Sequence, residues 1–332
     1  MLVQIVSVAS GAITHGICIG IFVFGLDWGF TGICWATAMV FVGRTISTQL
    51  FLYIKRDSFT FYDDVKLFSR ETTSNLGPLI KVCTMSMFMG IWGWWAFEIF
   101  TFMATYLGET EAAAQSQMRS LGLLTFMLPV GYSSASSILS GNAIGAYKPA
   151  LAITYYKVCL FMATFITVLQ MSVLFLAEDP MIRMYTSNAS VATLLADAWP
   201  ILIIFTLFDT TQAMGMSVIK ATGKQGLGAM ITGTAYFVIG IPAAYYFAFV
   251  KEQGIRGLWW GPTLATLFNT LAYNTIIFCI NWPQLIQEIM ERKEKENEVR
   301  KELAEEKLRS ESQNDDYVKA ETSETPKVNA VV

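Results

Sequence analysis

Long apolar stretches separated by short polar segments make up most of this 332-residue chain. Eight of them contain the roughly 20 apolar residues that a helix needs to cross the hydrocarbon core of a bilayer. They predict transmembrane helices at residues 2–24, 30–54, 78–107, 112–139, 150–177, 192–219, 227–250 and 257–281. The pattern therefore predicts an all-α integral membrane protein with eight transmembrane helices.

Charged residues are concentrated at the C-terminal end of the chain. Residues 284–332 contain nine Lys/Arg and thirteen Asp/Glu, whereas the body before them is nearly uncharged overall. The interleaved charges predict a solvated helix over residues 284–313, and the polar segment after it is typical of disorder. The sequence has no basic stripe of the kind that binds nucleic acid, so we expect no nucleic-acid partner.

The distribution of Lys and Arg between the spans predicts the orientation of the chain. The connections at residues 55–77, 140–149 and 220–226 together contain seven Lys and Arg residues, against three in the alternate connections. Because cytoplasmic loops carry an excess of these residues, we predict that both termini and the charged tail are cytoplasmic. The sequence leaves the plasma membrane and a vacuolar or other internal membrane as alternatives.

Two lone carboxylates lie deep within the apolar stretches. Glu98 lies in the third predicted span and Asp209 in the sixth. A carboxylate in hydrocarbon costs about 2.5 to 3.5 kcal/mol on insertion scales, so it usually faces a polar pathway. Counted from the outer ends of the spans at about 1.5 Å per residue, Glu98 is roughly 13 Å deep and Asp209 about 16 Å. We therefore predict that both acids line one water-accessible chamber.

A chamber with two neighbouring carboxyl groups suits proton-coupled transport. Loss of water and a second negative charge both favour the protonated form, and such groups titrate as a pair. Protonation from outside would release a cationic substrate, and deprotonation inside would restore its binding. Na⁺ is the alternative coupling ion, because hard cations also bind carboxylate oxygens.

Four further polar or aromatic residues are candidates for the lining of this chamber. Gln212 lies one helical turn after the second acid and shares its face, and Trp94 and Tyr236 offer aromatic faces to a cation. Arg119, in the fourth span, either pairs with Glu98 as a switch opened by protonation or extends outward to the membrane surface. A preference of the site for anionic substrates is a third interpretation.

Metal, disulfide and ATP chemistry are not indicated by the sequence. The five cysteines are dispersed in apolar stretches without CxxC spacing, and there is one histidine. This is typical of buried hydrophobic cysteines. The segment Thr222-Gly223-Lys224-Gln225 lacks the earlier glycine and the following Ser/Thr of a phosphate-binding loop. We expect no enzyme activity, no metal and no cofactor other than the coupling ion.

An internal repeat relates the second and eighth predicted spans. The segment Gly29–Trp35 (GFTGICW) shares the pattern Gly-x-x-Gly-x-x-Trp with Gly254–Trp260 (GIRGLWW), at an offset of 225 residues. The same offset pairs Arg44 with Asn269. Both copies are predicted to run from outside to inside, as in a parallel repeat about an axis along the membrane normal. Spans three to six have no counterparts, so we expect the chain to be truncated at its N-terminus.

Several segments together resemble the multidrug and toxic compound extrusion (MATE) family in its eukaryotic branch. They are WWAFEIFTFMATYLG (residues 94–108), AAAQSQ (112–117), LPVGYSSASSILSGNAIGA (128–146), FDTTQAMGMSVIKATGKQGLGA (208–229), YFVIGIP (236–242) and GIRGLWWGP (254–262). The resemblance covers nearly everything from residue 29 to residue 282.

The resemblance implies two six-helix lobes and cation-coupled antiport. On that frame, residues 1–54 are the last two helices of the N-terminal lobe, 55–77 the linker between lobes, 78–282 the C-terminal lobe and 283–332 the charged tail. Glu98 matches the acid of the family's seventh-helix WWxxE pattern, and Asp209 matches its tenth-helix acid, both belonging to the cation or proton site. The chain departs from many members at Gly93 and from animal members at Ser120, where those sequences carry glutamate.

The function predicted from these features is secondary active transport, with protons or Na⁺ exchanged for exported organic cations, drugs or metabolites. The expected partners are a small-molecule substrate and the lipid bilayer, and we expect a monomer. Two alternatives remain at this stage. One is a truncated membrane protein that cannot transport, and the other is a flippase for lipid-linked substrates of the wider superfamily.

Overall fold

The computed structural model describes residues 2–56 and 76–291, together with residues 294, 295 and 298. Helices occupy nearly all of the described residues, and these contain no β-strand. This confirms the predicted all-α class. The α-helices are α1 (Leu2–Ile19), α2 (Gly29–Ile54), α3 (Leu76–Leu107), α4 (Glu109–Gly145), α5 (Pro149–Leu176), α6 (Glu178–Tyr185), α7 (Ala189–Ala221), α8 (Gln225–Gly233), α9 (Ile241–Tyr245), α10 (Gly254–Cys279) and α11 (Trp282–Glu291).

Seven segments of the described chain are long and apolar enough to cross a membrane. An eighth candidate is the pair α10 and α11, which are bent by 79° at a short break. The helices agree with the predicted spans to within a few residues. The protein is therefore an integral membrane protein with seven or eight candidate spans.

Two of the spans contain π-helical turns that the hydrophobic pattern does not predict. The first span continues from α1 through the π segment Gly20–Gly25. The span Gln225–Val250 consists of α8, the π segment Thr234–Gly240, α9 and the π segment Tyr246–Val250. In a π turn, each backbone hydrogen bond spans five residues instead of the four of an α-helix. Such turns are often found at functional sites.

The connection predicted at residues 178–191 contains the short helix α6, whose Ile182 is buried. The predicted loop is therefore partly helical. Most of the predicted linker, residues 57–75, lies outside the described residues, as does nearly all of the tail beyond Glu291. The predicted tail helix begins as α11, and Trp282, Leu285 and Ile286 are buried. Its first turns thus have one apolar face packed on the protein and are not solvated all round.

The described residues form two compact units, which divide between Leu76 and Gly77. In the N-terminal unit, α1 and α2 form an antiparallel hairpin. Thr14 lies directly against Gly43, where an added Cβ would collide with the threonine side chain. A Cβ added at Gly32 would stand 2.9 Å from the carbonyl oxygen of Phe22, so this glycine lies directly against that backbone. Small residues at these contacts let the two backbones approach closely.

In the C-terminal unit, α7 is the most deeply buried helix and packs against α4, α5 and α10. Two clusters of buried apolar residues surround it. One contains Phe100, Trp199 and Trp259, and the other contains Tyr156 and Tyr273. Asp209 lies on α7 between residues that belong to these two clusters. The helix with the predicted tenth-helix acid is thus the centre of this unit.

The predicted sequence repeat is confirmed as a repeat of local structure. Both α2 and α10 contain 26 residues and begin at the first glycine of the pattern. Gly29 and Gly254 have positive φ angles of 51° and 55°, and Asp27 and Glu252 two residues earlier have 52° and 55°. These left-handed residues end the preceding π segment and start the next helix in the same way in both copies.

Candidate functional site

Asp209 lies near the middle of α7 and is 7% exposed. The helix begins with Asn188, whose side-chain oxygen accepts a hydrogen bond from the Ser190 N–H at 2.9 Å. Such a cap satisfies one of the free N–H groups of the first turn. The apolar sequence then continues through Pro200 without a break. This continuous, buried helix places a carboxylate deep inside the unit.

Three amide and hydroxyl groups form a network around this carboxylate. Gln212 Nε2 donates to Asp209 Oδ1 at 2.7 Å and also lies 3.3 Å from the Tyr236 hydroxyl oxygen, to which it donates. Asn269 Nδ2 donates to Gln212 Oε1 at 2.8 Å, which fixes the direction of the amide. Asn269 Oδ1 is buried and has no hydrogen-bond partner. The network joins α7 to α10 and to the π segment Thr234–Gly240.

A cavity of about 150 Å³ opens beside Asp209. Most of its wall is apolar and aromatic. The lining residues are Met89, Gly90, Gly93, Trp94, Phe97, Arg119, Gly122, Leu123, Phe126, Phe205, Asp209, Gln212, Ala213, Met216, Thr232 and Tyr236. Among these, Arg119 and Asp209 are the charged residues, and both lie within the C-terminal unit.

Glu98 does not line this cavity, although Arg119 connects it to the cavity wall. Arg119 Nη2 lies 2.6 Å from Glu98 Oε1, and Arg119 Nη1 is 3.4 Å from the Thr101 hydroxyl. The Arg119 side chain is 20% exposed and that of Glu98 is 66% exposed. Of the two positions expected for Arg119, the structure shows the one paired with Glu98. Arg119 therefore pairs with Glu98 and lines the same cavity as Asp209, whereas Glu98 itself is not part of that cavity's wall.

The aromatic candidates Trp94 and Tyr236 both line the cavity. Trp94 is half exposed, whereas Tyr236 is buried. Gly93 lies beside the tyrosine, since a Cβ at this position would be in ordinary van der Waals contact with the Tyr236 ring at 3.4 Å. Phe97 continues the aromatic wall, with its ring 6.5 Å from that of Tyr236 between centroids. Hence the glycine that departs from the family pattern is the residue against which Tyr236 packs.

Several lining residues were not predicted from the sequence. Met89, Phe126, Phe205 and Met216 are apolar residues within apolar spans, so nothing distinguishes them from residues that face lipid. Asn269 was also not predicted as a site residue; it does not line the cavity and instead holds Gln212 by a hydrogen bond. It is a polar residue within a span, and the sequence repeat aligns it with Arg44. A search for uncharged polar residues within the spans would have found it.

The described residues contain no group of three or more His, Cys, Asp or Glu that could hold a metal ion. Within the described residues, the Asp209 carboxylate accepts a hydrogen bond from Gln212, which presents its amide N–H₂ to the acid. The arrangement can bind and release a proton at the carboxylate, and it can hold a cation between the carboxylate and the aromatic wall.

Comparisons with known proteins agree with this architecture. Residues 86–246 match the MatE family model. The chain is 28% identical over 291 residues to multidrug and toxin extrusion protein 1 of Homo sapiens, a match that covers 87% of this chain and 50% of that protein. It is 30% identical over 220 residues to an uncharacterized transporter of Schizosaccharomyces pombe, covering 66% of this chain and 41% of that one. The chain spans about half the length of the curated relatives it matches.

Solved structures show the same fold. The crystal structure of the eukaryotic MATE transporter AtDTX14 superposes with a TM-score of 0.81 at 22% identity, covering 88% of this chain and 65% of that one. An outward-facing multidrug resistance MATE family transporter superposes with a TM-score of 0.68 at 19% identity, covering 86% and 62%.

Proposed function

We propose that this chain, which carries a MatE domain at residues 86–246 and is homologous to the multidrug and toxin extrusion proteins, is a secondary active transporter that exchanges protons for a small organic cation. The observation that carries the proposal is one carboxylate, Asp209, that has no cationic partner among the described residues and lines a cavity whose wall is mostly aromatic and apolar.

The charges around the cavity favour a cationic ligand. Arg119 is neutralised by Glu98, since the two side chains form an ion pair at 2.6 Å. Asp209 has no cationic partner among the described residues and receives a single hydrogen bond, from the neutral amide of Gln212. When all three groups are ionised, the site therefore carries one net negative charge. A positively charged ligand can compensate for it.

Proton uptake at Asp209 would remove this charge. The protonated carboxyl group no longer attracts a cation, so the ligand leaves the cavity. Loss of the proton on the other side of the membrane restores the negative charge and the affinity. Substrate and proton thus compete for one group, which is the requirement for obligatory exchange.

The surroundings of Asp209 favour a proton over Na⁺ as the coupling ion. Na⁺ would need several oxygen ligands around the carboxylate, as hard cations do. Gln212 instead directs its N–H₂ group at Asp209, while its oxygen accepts from Asn269. The amide would have to turn over and release Asn269 before it could bind a metal cation.

The size and lining of the cavity favour a flat cation. A volume of 150 Å³ holds about one aromatic ring, since an engineered protein cavity of that size binds benzene. The faces of Trp94, Phe97 and Tyr236 add cation–π attraction of about 0.5 to 2 kcal/mol each when a cation lies over the ring. The site lies within one chain, which supports a monomer as the transporting unit.

The test is transport by the full chain reconstituted into proteoliposomes with a pH gradient and a fluorescent aromatic cation. We expect uptake against the concentration gradient of the dye, and its loss in Asp209→Asn. The matched control is Asp197→Asn on the same helix. Asp197 is half exposed and lies 3.4 Å from Arg256, away from the cavity. This variant should transport like the wild type.

Two outcomes would contradict the proposal. One is full gradient-driven transport by Asp209→Asn. The other is a folded wild-type chain that carries no cation under any gradient, which would support the transport-incompetent alternative. Movement of a lipid-linked substrate without movement of the dye would support the flippase alternative.

A further inference from the structure

The N-terminal unit contains an open groove lined by several polar residues, separate from the Asp209 site. It lies along the hairpin of α1 and α2 and has a volume of about 350 Å³. Its lining residues are Ser7, Phe41, Arg44, Thr45, Thr48 and Gln49. Apart from Phe41, all of them are polar, although both helices are apolar enough to span a membrane.

Arg44 has an incomplete set of partners in this groove. Its Nε donates a long hydrogen bond of 3.4 Å to the uncharged Ser7 hydroxyl. The one carboxylate in residues 2–56, Asp27, lies in the turn at the opposite end of the hairpin. A guanidinium carries five N–H donors and no acceptor. Within the described part of this unit, the cation therefore lacks a counter-ion.

The packing of the hairpin directs Arg44 toward one membrane surface. The Arg44 stem crosses α1 at Gly11, where an added Cβ would stand 2.8 Å from Arg44 Cγ. From there it extends to Ser7, one helical turn or about 6 Å nearer the start of α1. Ser7 is two residues from the end of the apolar span Ile5–Gly25. Arg44 is partly exposed and lies ten residues, or about 15 Å along α2, from the end of the span Gly29–Ile54, and its side chain extends toward that same end of the hairpin.

The structural repeat shows how the groove arises. At the offset of 225 residues, Gly11 corresponds to Tyr236 and Arg44 corresponds to Asn269. In the C-terminal unit, the tyrosine ring and the hydrogen-bonded asparagine fill this position beside Asp209. In the N-terminal unit, glycine makes room for the stem of Arg44, and the arginine places a positive charge there.

We propose that this groove binds a phosphate oxyanion, held by the guanidinium of Arg44 and by the polar side chains of Ser7, Thr48 and Gln49. A planar guanidinium forms two parallel hydrogen bonds to phosphate, and basic pockets between membrane helices bind lipid head groups. Both a phospholipid head group and a free organic phosphate provide this chemistry. The site is in a different unit from Asp209 and does not depend on the proposed transport function.

The test measures binding of dioctanoyl phosphatidic acid to the delipidated full chain in detergent by native mass spectrometry. Dioctanoylglycerol, which lacks the phosphate, is the reference ligand. We expect the phosphatidic acid to bind roughly tenfold more tightly or better than the reference, and Arg44→Gln to abolish the difference. Arg44→Lys should retain part of it. The matched control is Arg183→Gln, which removes an exposed arginine of α6 and should bind like the wild type.

Competition by glycerol 3-phosphate distinguishes the two sources of phosphate. Displacement of the phosphatidic acid would support a free organic phosphate as occupant, and its absence would support a phospholipid. Equal binding of phosphatidic acid and dioctanoylglycerol to the wild type would overturn the proposal without any variant. An equal loss of binding in Arg183→Gln and Arg44→Gln would also overturn it.

Discussion

At the scale of residues, the properties of Asp209 follow from its neighbours. Burial on α7 makes its charge costly, and the amide of Gln212 is the one hydrogen-bond donor it meets among the described residues. Arg119 is close enough to the cavity to line its wall but is already paired with Glu98. The net charge of the cavity therefore depends on three groups, of which only one is unpaired.

This charge balance predicts opposite effects for the two members of the ion pair. Glu98→Gln leaves Arg119 positive beside the cavity, so affinity for an organic cation should fall, by roughly tenfold or more. Arg119→Gln removes the positive charge and should raise cation affinity. The double variant restores the net charge and should bind nearly like the wild type. Dye-binding titrations of the three variants measure this directly.

The double variant is also the control for structural damage. A positioning role of the ion pair alone would make the double variant at least as weak as either single variant. A result of that kind would contradict the role assigned to the charges.

The sequence identified the charged residues of the site because acids and arginines are rare in apolar spans. Glu98, Asp209 and Arg119 stand out for that reason, and Arg119 was placed within reach of Glu98. The sequence did not decide whether the arginine pairs or extends outward, since both are compatible with its depth. The structure places Asp209 and Arg119, but not Glu98, in the wall of the cavity. The sequence could not predict this, because depth along a helix does not determine which face of the helix a residue occupies.

At the scale of elements, the close packing of spans depends on a few glycines. Gly261 of α10 lies against α9, with an added Cβ 2.6 Å from both the Ala244 Cβ and the Gly240 carbonyl oxygen. Gly257, one turn earlier, lies against the backbone of Phe247 in the same way. The helices meet backbone to backbone here, so neither side can yield by turning a side chain.

Gly261→Val should therefore destabilise the C-terminal unit by about 1 to 3 kcal/mol, the usual cost of overpacking, because the clash involves backbone atoms. Thermal unfolding of the purified chain in detergent measures the change. The control is Gly131→Val on α4, where an added Cβ meets no atom within 4 Å. Comparable unfolding temperatures for the two variants would contradict the close packing of α9 on α10.

The spans themselves were predictable because length and apolarity determine where a helix can cross a membrane. The π turns were not predictable, since hydropathy does not determine whether a backbone N–H group donates to the carbonyl four or five residues before it. The repeated glycine pattern did predict a shared local structure, and the paired left-handed residues at Gly29 and Gly254 confirm it. Helix α6 was missed because its charged residues make the segment resemble a loop.

At the scale of the whole molecule, two units repeat one hairpin but differ in its chemistry. The N-terminal copy carries Arg44 where the C-terminal copy carries Asn269, and Gly11 takes the place of Tyr236. We therefore expect a cation site in one unit and an anion site in the other. Composition alone would not reveal this difference, because it depends on single residues at equivalent positions.

The distribution of Lys and Arg predicts that both termini are cytoplasmic. In sealed microsomes, an epitope after Val332 should be removed by added protease, whereas an epitope inserted between Gly108 and Glu109 should be protected until detergent is added. The insertion site follows the C-terminal end of α3 and precedes α4. The reverse pattern of protection would show that the orientation is inverted.

The central claim is that proton occupancy of Asp209 controls the affinity for an organic cation. The most direct measurement is equilibrium binding of a fluorescent aromatic cation to the purified full chain at decreasing pH, for the wild type, Asp209→Asn and Asp197→Asn. The proposal predicts that affinity falls as the pH falls for the wild type and Asp197→Asn, and that Asp209→Asn binds weakly at every pH. A wild-type affinity independent of pH, or an unchanged pH dependence in Asp209→Asn, would contradict it.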